Sequence, residues 1–416
     1  MTTALPAPPP SLEHQSPASP AGPSRLGWLD ALRGIAALAV VFDHSSLSFM
    51  PEFRRELMPV FNTGRYGIMV FFLVSGYIIP ASLERRGCVR TFWLGRVFRL
   101  YPLLIAVVAV VLAVQLSGFP AIRGSGGQSI VTVALAHVTL LQELLGTPSL
   151  VLVLWTLSYE MAFYLVVVGL FTIGQHRKSA AAAVILAGSA AVSVAAGVVL
   201  PVSALSGTVG TGPLIALASA AMVLTICCAS TGSPVLRVFG GMVGAVLALV
   251  LVACNGTVPL WEGLVILALM FLGTAVYRAG NGQSTWRHTA CAAVAVTICA
   301  VVSVCRQGDG THSTRTGWVV AFLLALVTFG AGLALRHRRL PRWLVGLGTI
   351  SYSVYLVHPL LLGVWYGLIG RLRHDNVLLE IAFYAVLLPL CVLTYRFIET
   401  PGRQWGRKLL RRGGAA

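Results

Sequence analysis

The chain has 416 residues, of which 57% are hydrophobic and only 10% are charged. This composition excludes a soluble domain of the same length, because too few polar side chains remain to cover its surface. The formal net charge of +17 does not imply a nucleic-acid partner, since the basic residues cluster beside apolar segments, as they do on the cytoplasmic side of membrane proteins. The eight cysteines are scattered, and the sequence shows no metal-site spacing.

Apolar stretches of about 20 residues recur and predict an all-α, polytopic transmembrane helix bundle with about 10–12 spans. With the first span running outward, most of the 30 Lys and Arg residues fall on the inner side, which places both termini in the cytoplasm. Because these spans cross the bilayer, membrane lipid is an expected partner of the protein. The predicted spans are roughly 28–49, 64–83, 99–118, 150–172, 180–200, 212–230, 235–254, 258–277, 288–305, 316–335, 346–369 and 378–397.

Three parts follow from this layout. Residues 1–25, rich in Pro, Ser and Ala, are predicted to be a disordered cytoplasmic tail. Residues 26–400 form the transmembrane domain, and residues 401–416 form a basic cytoplasmic tail. Within the domain, the segment 129–147 is apolar but contains polar side chains, so it is interpreted as an amphipathic or re-entrant piece.

The first span contains Asp30, Arg33, Asp43 and His44, and ionisable residues inside a hydrophobic span suggest function because they are costly there. On a helix, Arg33 and His44 lie about 16 Å apart along the axis and within about 20° of one face. This suits a long ligand bound at one end and reacting at the other. The alternative is an interfacial Arg and a His satisfied by a neighbouring helix. Asp30 can pair with Arg33, whereas Asp43 is expected to point away from His44, where it could orient a neighbouring helix or polarise the site.

The next two polar segments are VFFLVSGYIIP and RVFRLYP. In the first, Ser75 and Gly76 allow close helix approach, and small-residue packing alone would explain them. In the second, Arg96 and Arg99 are three residues apart and share a helix face. Two guanidinium groups so placed can bind phosphate, although anchoring at the inner membrane surface explains the same pair.

The segment LWTLSYEMAFY brings Trp155 and Glu160 into a helix near the predicted outer face. A carboxyl group in the apolar interior needs a partner or a proton, so Glu160 could exchange a proton with a substrate. Pairing with an intramembrane Arg or His is the structural alternative.

Two polar segments lie near the C-terminus. In SYSVYLVHPLLL, Ser351, Tyr355 and His358 fall on one helix face. An aromatic belt followed by a helix-breaking His-Pro pair explains them equally well. In YRFIETPGR, Glu399 followed by Thr400-Pro401 predicts the end of the last helix, with Arg396 and Arg403 as anchors.

The segments LRGIAALAVVFDH, VFFLVSGYII, RVFRLYP, WTLSYEMAFY, SYSVYLVHPLL and RFIETP occur in this order. Because it contains these six motifs in this order, the chain resembles the membrane acyltransferase 3 family. Members of this family are integral-membrane O-acyltransferases that modify bacterial polysaccharides, lipids and macrolide antibiotics. The resemblance covers the first four and last two spans, and the region 175–340 matches only in hydropathy. It implies transfer of a short acyl group, with acetyl expected, from acyl-CoA to a hydroxyl of a sugar, glycolipid, exopolysaccharide or macrolide.

The same resemblance implies that the protein lies in the bacterial inner membrane and binds no cofactor. It also implies roles for individual residues. His44 is expected to be catalytic with Arg33 as its partner, and Glu160 is the family's functional acidic residue. Two routes stay open: His44 takes the proton of the attacking hydroxyl, or it accepts the acyl group first. Donor-binding roles are expected for Arg96, Arg99, Ser75, Tyr355 and His358, and supporting roles for Asp30, Asp43, Trp155 and Ser158. Thr156 departs mildly from the family's pattern, in which Ser is frequent at this position.

Two functions of other classes compete with this reading. A proton-coupled secondary transporter would also use buried Arg and His side chains, but the chain shows no internal repeat of the kind that transporters have. A membrane protein that binds a lipid or sugar without chemistry is the second alternative.

Overall fold

The computed structural model of the protein describes residues 27–116, 127–307 and 314–413, so the predicted tail 1–25 lies outside the described residues. Within these ranges the chain is helical and contains no strand, which confirms the all-α prediction. The first helices are α1 (Gly27–Phe49), α2 (Pro51–Leu57), α3 (Thr63–Arg86), α4 (Val89–Leu116), α5 (Ile130–Thr139) and α6 (Trp155–Thr172). They are followed by α7 (Ser179–Ala195), α8 (Ala204–Val209), α9 (Thr211–Ala229), α10 (Pro234–Asn255), α11 (Leu260–Gly280) and α12 (Trp286–Gln307). The last are α13 (Arg315–Ala334), α14 (Arg342–Thr349), α15 (Ser351–Ile369), α16 (Val377–Thr394) and α17 (Thr400–Gly413).

Ten of the described helices are long and apolar enough to cross a membrane, which agrees with the predicted 10–12 spans and makes this a multi-pass membrane protein. The polar α1 is outside this set and packs against α3, α14 and α15. The short α7 is outside it too and packs against α11 and α12. As predicted, 129–147 forms no span: it contains α5 and a 3₁₀ turn, Gln142–Leu145.

The predicted end of the last helix at Glu399 is wrong. A π-helical turn, Tyr395–Glu399, joins α16 directly to α17. In this wider turn the Thr400 N–H bonds the Tyr395 carbonyl, and Pro401, which has no N–H, follows without breaking the helix. The carboxylate of Glu399 then pairs with Arg403 at 2.7 Å, one turn into α17.

Helices α3 and α11 pack backbone against backbone at the centre of the bundle. A Cβ atom added at Gly76 would overlap the Met270 carbonyl, and one added at Gly273 would overlap the Leu73 carbonyl. The Thr274 hydroxyl uses this close approach to donate to the Gly76 carbonyl at 2.8 Å. The small-residue interpretation of Gly76 is therefore confirmed, and close packing of this kind drives helix association in lipid.

Buried ion pairs fix both ends of the same two helices. At one end, Arg65 of α3 bonds Glu262 of α11 at 3.1 Å, and Glu262 also accepts from the Trp318 indole at 3.2 Å. At the other end, the buried Arg278 of α11 pairs with Glu84 of α3. Because a buried charge without a partner is very costly, these pairs hold α3 and α11 in one register.

Substitution of Gly76 by Ala tests this packing. The added Cβ would force α3 and α11 apart, with an expected cost of about 1–3 kcal/mol for overpacking. Thermal unfolding of purified protein in detergent measures the loss. Gly330→Ala is the matched control, because a Cβ at Gly330 has no neighbour within 4 Å. Equal melting temperatures for the two variants would contradict the close approach.

Candidate active site

Two histidines from opposite ends of the sequence meet inside the bundle. His44 near the end of α1 and His358 in the middle of α15 are joined by a hydrogen bond of 2.8 Å between Nδ1 of His44 and Nε2 of His358. Their rings lie nearly parallel, 15° apart, with centroids separated by 5.1 Å. The His358 side chain is fully buried, whereas His44 retains access to two cavities.

The hydrogen bonds of this pair determine which nitrogen of His44 is free. Nδ1 of His358 lies 2.9 Å from the Val354 carbonyl, which can only accept, so this nitrogen carries a proton. In a neutral His358 ring, Nε2 is then an acceptor and receives the proton of His44 Nδ1. A second proton on the ring would be an uncompensated charge at a fully buried site. The remaining nitrogen, Nε2 of His44, therefore has a free lone pair.

An acidic side chain lies beside this lone pair. Oδ2 of Asp43 is 3.9 Å from Nε2 of His44, and both residues line the same cavity, so the prediction that Asp43 points away from His44 is wrong. Arg54 of α2 holds the Asp43 side chain through a 3.0 Å bond to Oδ1 and also contacts the Asp43 carbonyl. A negative charge at this position stabilises the His44 ring when Nε2 is protonated.

Helix α2, which carries Arg54, is held in place by residues near the C-terminal end of the sequence. The carboxylate of Asp375 accepts from the backbone N–H groups of Glu52 and Phe53 at 2.8 and 3.0 Å. His374 forms a 2.9 Å hydrogen bond with the Glu52 side chain, and this bond lowers the pKa of that exposed carboxyl. The loop before α16 thus positions the helix that orients Asp43.

His44 lines two cavities of different character. The first, here named the charged cavity, has a volume of about 720 Å³ and contains acidic, basic and aromatic side chains. Its polar walls include Asp43, Arg54, Asn62, Arg65, Glu143, Trp155 and Trp261. The predicted supporting residue Trp155 stacks there against Arg65, whose guanidinium carbon lies 5.5 Å from the ring centroid. The second, here named the apolar groove, has a volume of about 320 Å³.

A basic cavity lies at the opposite end of α1. This basic mouth has a volume of about 530 Å³, and five arginines line it together with the carboxylate of Asp30. These are Arg33, Arg86, Arg99, Arg403 and Arg407. Asp30 and Arg33 approach to 3.9 Å, which confirms their predicted pairing. The sequence motifs indicated Arg33 and Arg99, whereas nothing in local spacing connected Arg86 or the arginines of α17 to them.

A narrow passage runs from the basic mouth toward the histidine pair. Arg33 and Arg99 line both cavities, and Ile68 lines both the passage and the charged cavity. The passage has a volume of about 60 Å³, which accommodates only a few water molecules. Its lining includes the predicted residues Ser75, Glu160 and Tyr355, with Phe71, Phe72, Thr156 and Ser351 beside them.

Two predicted residues lie elsewhere than their expected roles suggest, and a third, Ser158, has a supporting position. Arg96 is buried and packs over the rings of Phe92 and Tyr164, at 5.1 and 5.2 Å, instead of lining the basic mouth. Glu160 accepts a hydrogen bond from Tyr164 and lies on the passage wall beside Arg33 and Arg99, not beside His44. Ser158 is fully buried and accepts from the backbone of Glu143 at 3.4 Å, so it supports the 3₁₀ turn Gln142–Leu145.

Hydrogen bonds and ring contacts together set the position of Tyr355, whose hydroxyl donates to the Val153 carbonyl at 3.2 Å. Its hydroxyl lies 2.7 Å from the Thr156 hydroxyl, and its ring stacks edge-on against His358 at 6.2 Å between centroids. It therefore connects the far end of the passage with the histidine pair. Thr156, at the position where Ser was expected, supplies the hydroxyl that this contact uses. Across the described ranges, no group of three or more His, Cys, Asp or Glu side chains is placed to hold a metal ion.

Comparison with known proteins identifies relatives of this architecture. The family model for an acyltransferase domain matches residues 26–396. Acyltransferase MdmB of Streptomyces mycarofaciens is 31% identical over 150 residues, which cover 34% of this chain and 38% of that protein. Peptidoglycan O-acetyltransferase OatA of Listeria monocytogenes is 28% identical over 152 residues, covering 33% of this chain and 23% of that protein. No solved structure matches the chain.

A third relative gives the same picture. The putative peptidoglycan O-acetyltransferase YrhL of Bacillus subtilis is 26% identical over 172 residues, covering 37% of this chain and 25% of that protein. The chain thus spans less than two-fifths of the length of each of these curated relatives.

The deduced tautomer of His44 can be measured directly. In protein labelled with ¹⁵N-histidine, solid-state NMR is expected to show His44 protonated at Nδ1 and unprotonated at Nε2, because His358 accepts the Nδ1 proton. In His358→Phe this acceptor is lost, and the Nδ1–H signal is expected to weaken as the other tautomer becomes populated. Assignment uses His44→Gln as the reference spectrum. An Nε2–H signal for His44 in the unsubstituted protein would contradict the deduced hydrogen-bond pattern.

Proposed function

This chain belongs to the membrane acyltransferase 3 family, and on this premise we propose that it transfers a short acyl group, with acetyl as the expected one, from acyl-CoA to a hydroxyl of an acceptor. The observation that carries the proposal is the free Nε2 of His44, which faces the cavities at one end of the bundle while a basic mouth opens at the other. Two of the relatives are named as peptidoglycan O-acetyltransferases, one of them putative, which favours a glycan hydroxyl as acceptor. From the positive-inside pattern we infer that the basic mouth faces the cytoplasm and that the protein lies in the bacterial inner membrane.

The basic mouth suits the nucleotide end of acyl-CoA. Coenzyme A carries a diphosphate and a third phosphate on its ribose, and arginine binds phosphate through two parallel hydrogen bonds. Five guanidinium groups face one carboxylate in this cavity, so its lining is strongly positive. In this assignment Arg99, rather than the expected pair of Arg96 and Arg99, binds donor phosphate together with arginines of α17.

The passage guides the pantetheine arm of the donor toward the histidine pair. Because the cavity holds only a few waters, the arm must displace lining side chains such as Phe71, whose ring packs on Tyr355 at 5.5 Å. The paired hydroxyls of Thr156 and Tyr355 lie at the end of this route that is nearest to the histidine pair. Both hydroxyls can donate to the Val153 carbonyl, and one that releases this carbonyl can donate to the thioester oxygen as negative charge develops on it.

The chemical step uses the free nitrogen of His44. Nε2 takes the proton of the acceptor hydroxyl as its oxygen forms a bond to the thioester carbonyl carbon. The carbon–sulfur bond then breaks, the acyl group stays on the acceptor oxygen, and the departing thiolate takes the proton from the imidazolium. The carboxylate of Asp43, 3.9 Å away, stabilises the imidazolium between these steps. His358 keeps the proton of His44 on Nδ1 and so keeps Nε2 available.

Direct transfer fits the cavity walls better than an acyl relay through His44. The ring lines the charged cavity and the apolar groove, where an acceptor can bind, and is absent from the lining of the passage by which the donor arrives. A base must contact the acceptor hydroxyl, whereas a nucleophile must reach the thioester carbon from the passage.

Replacement of His44 by Gln tests the proposal. The expected loss of CoA release from acetyl-CoA is about 10²- to 10⁴-fold, the usual contribution of a general base. Membranes containing the protein, supplied with lysate as acceptor, provide the assay through a thiol reagent. His288→Gln is the control, because that exposed ring contacts Thr285 far from the site. Full activity in His44→Gln would refute the proposal, and a hydroxylamine-sensitive acyl group on the protein would replace direct transfer by the relay.

The donor site has its own test on α17. Arg407→Gln and Arg99→Gln are each expected to raise the KM for acetyl-CoA about tenfold, because each removes one charged hydrogen bond to phosphate. The neighbouring Lys408→Gln removes the same charge from a residue outside the lining of the basic mouth and should leave the KM unchanged. An equal KM shift in all three variants would indicate a general effect of charge rather than a phosphate site.

A further inference from the structure

His44 forms part of the wall of two cavities that differ in chemistry. The charged cavity on one side has acidic and basic side chains, whereas the apolar groove on the other side is lined mainly by aliphatic residues. His44 is the one residue common to both linings as the structure describes them. A molecule that presents a hydroxyl to His44 can therefore extend in both directions.

The apolar groove is formed by residues of α1, α4 and α15 and by residues 150–152 before α6, and part of its lining is exposed on the surface of the bundle. Its rim includes three apolar side chains that remain partly exposed: Leu47 by 42%, Leu152 by 38% and Tyr366 by 46%. The exposed Arg371 also lines the rim, with its guanidinium over the Tyr366 ring. Deeper walls are formed by Val111, Leu150, Val151, Pro359, Leu360 and Leu362. Such a lining recognises alkyl or ring carbon atoms through burial of apolar surface.

The donor reaches His44 from a different direction. The passage ends at Ile68 and Tyr355, and neither residue lines the apolar groove. An acyl chain arriving through the passage would have to cross the histidine pair to enter the groove. The groove is therefore continuous with the acceptor side of His44 rather than with the donor route.

The charged cavity offers many hydrogen-bonding side chains, whereas the lining of the apolar groove is mainly aliphatic. Side chains such as Asn62, Arg65 and Glu143 offer both donors and acceptors of hydrogen bonds, which the hydroxyls of a sugar or another polyol require. Trp261 adds an aromatic surface beside them. Polar and apolar recognition thus meet at one catalytic nitrogen.

We propose that the acceptor is an amphiphile that bridges His44, with its hydroxyl-bearing polar part in the charged cavity and an apolar part in the groove. The apolar part enters sideways between α4 and α15, and the hydroxyl is presented to Nε2 of His44. This inference rests on the proposed acyl transfer and narrows its acceptor to molecules that join a polar, hydroxylated part to an apolar one.

Photolabelling of the full-length protein in phosphatidylcholine nanodiscs tests the inference. The probe is dodecyl maltoside with a diazirine in its alkyl chain, and mass spectrometry locates the adducts. We expect adducts on the groove residues around Leu152 and Leu362. Leu47→Trp and Leu152→Trp, which fill the groove, are expected to reduce them about tenfold by excluding the chain. Val110→Trp, at an exposed position on α4 outside the lining, should leave the adducts unchanged.

Competition identifies the recognised molecule. Unlabelled dodecyl maltoside should suppress the groove adducts at concentrations about tenfold below those of maltose, because only the former buries a chain. Adducts spread evenly over the lipid-facing helices, or unaffected by the two filling variants, would overturn the inference. It would also be overturned if a dodecanoyl-CoA carrying the same diazirine labelled the groove in preference to the glycoside, since the groove would then hold the acyl chain.

One further measurement separates this inference from the function on which it rests. In the same nanodiscs, release of CoA from acetyl-CoA is compared between the unsubstituted protein and His44→Ala. Equal release refutes the proposed acyl transfer, whatever the labelling shows. Release that depends on His44, combined with no specific groove adducts, refutes only the amphiphilic acceptor.

Discussion

The hydrogen bond between His44 and His358 links α1, near the start of the chain, to α15, near its end. A polar group inside a membrane bundle needs a partner, and each ring supplies it for the other. Because the Val354 carbonyl fixes the proton of His358, this single bond also fixes the tautomer of His44. One backbone carbonyl thus determines which nitrogen of His44 can act as a base.

The rest of the bundle holds this pair between two kinds of environment. Helix α3, which passes beside α1, is fixed to α11 by close glycine contacts and by an ion pair at each end. On one side of the pair lies a cavity rich in arginine, and on the other a cavity that contains charges of both signs. In the proposed reaction the donor and the acceptor approach from these opposite ends, with the histidines between them.

The apolar runs of the sequence predict the helices well, whereas local patterns do not encode the contacts between distant segments. The period and length of apolar runs indicate spans, so most helix positions were predicted to within a few residues. The pairing of His44 with His358 was not predicted, because no local spacing encodes which distant helix a side chain meets. The Arg96 and Arg99 spacing suggested a shared face, yet the Arg96 side chain turns to the rings of Phe92 and Tyr164. The error at Glu399 arose because a π-helical turn absorbs Pro401, which sequence rules treat as a stop.

In the proposed reaction, donor and acceptor meet at His44 from opposite ends of the bundle. A cryo-EM structure with S-acetonyl-CoA, a thioether that cannot transfer its acyl-like group, tests it most directly. We expect the diphosphate between Arg99 and Arg407, the pantetheine arm in a widened passage, and the ketone close to Tyr355 and His44. Nucleotide density in the charged cavity between Asp43 and Arg65, with the passage still closed, would contradict it.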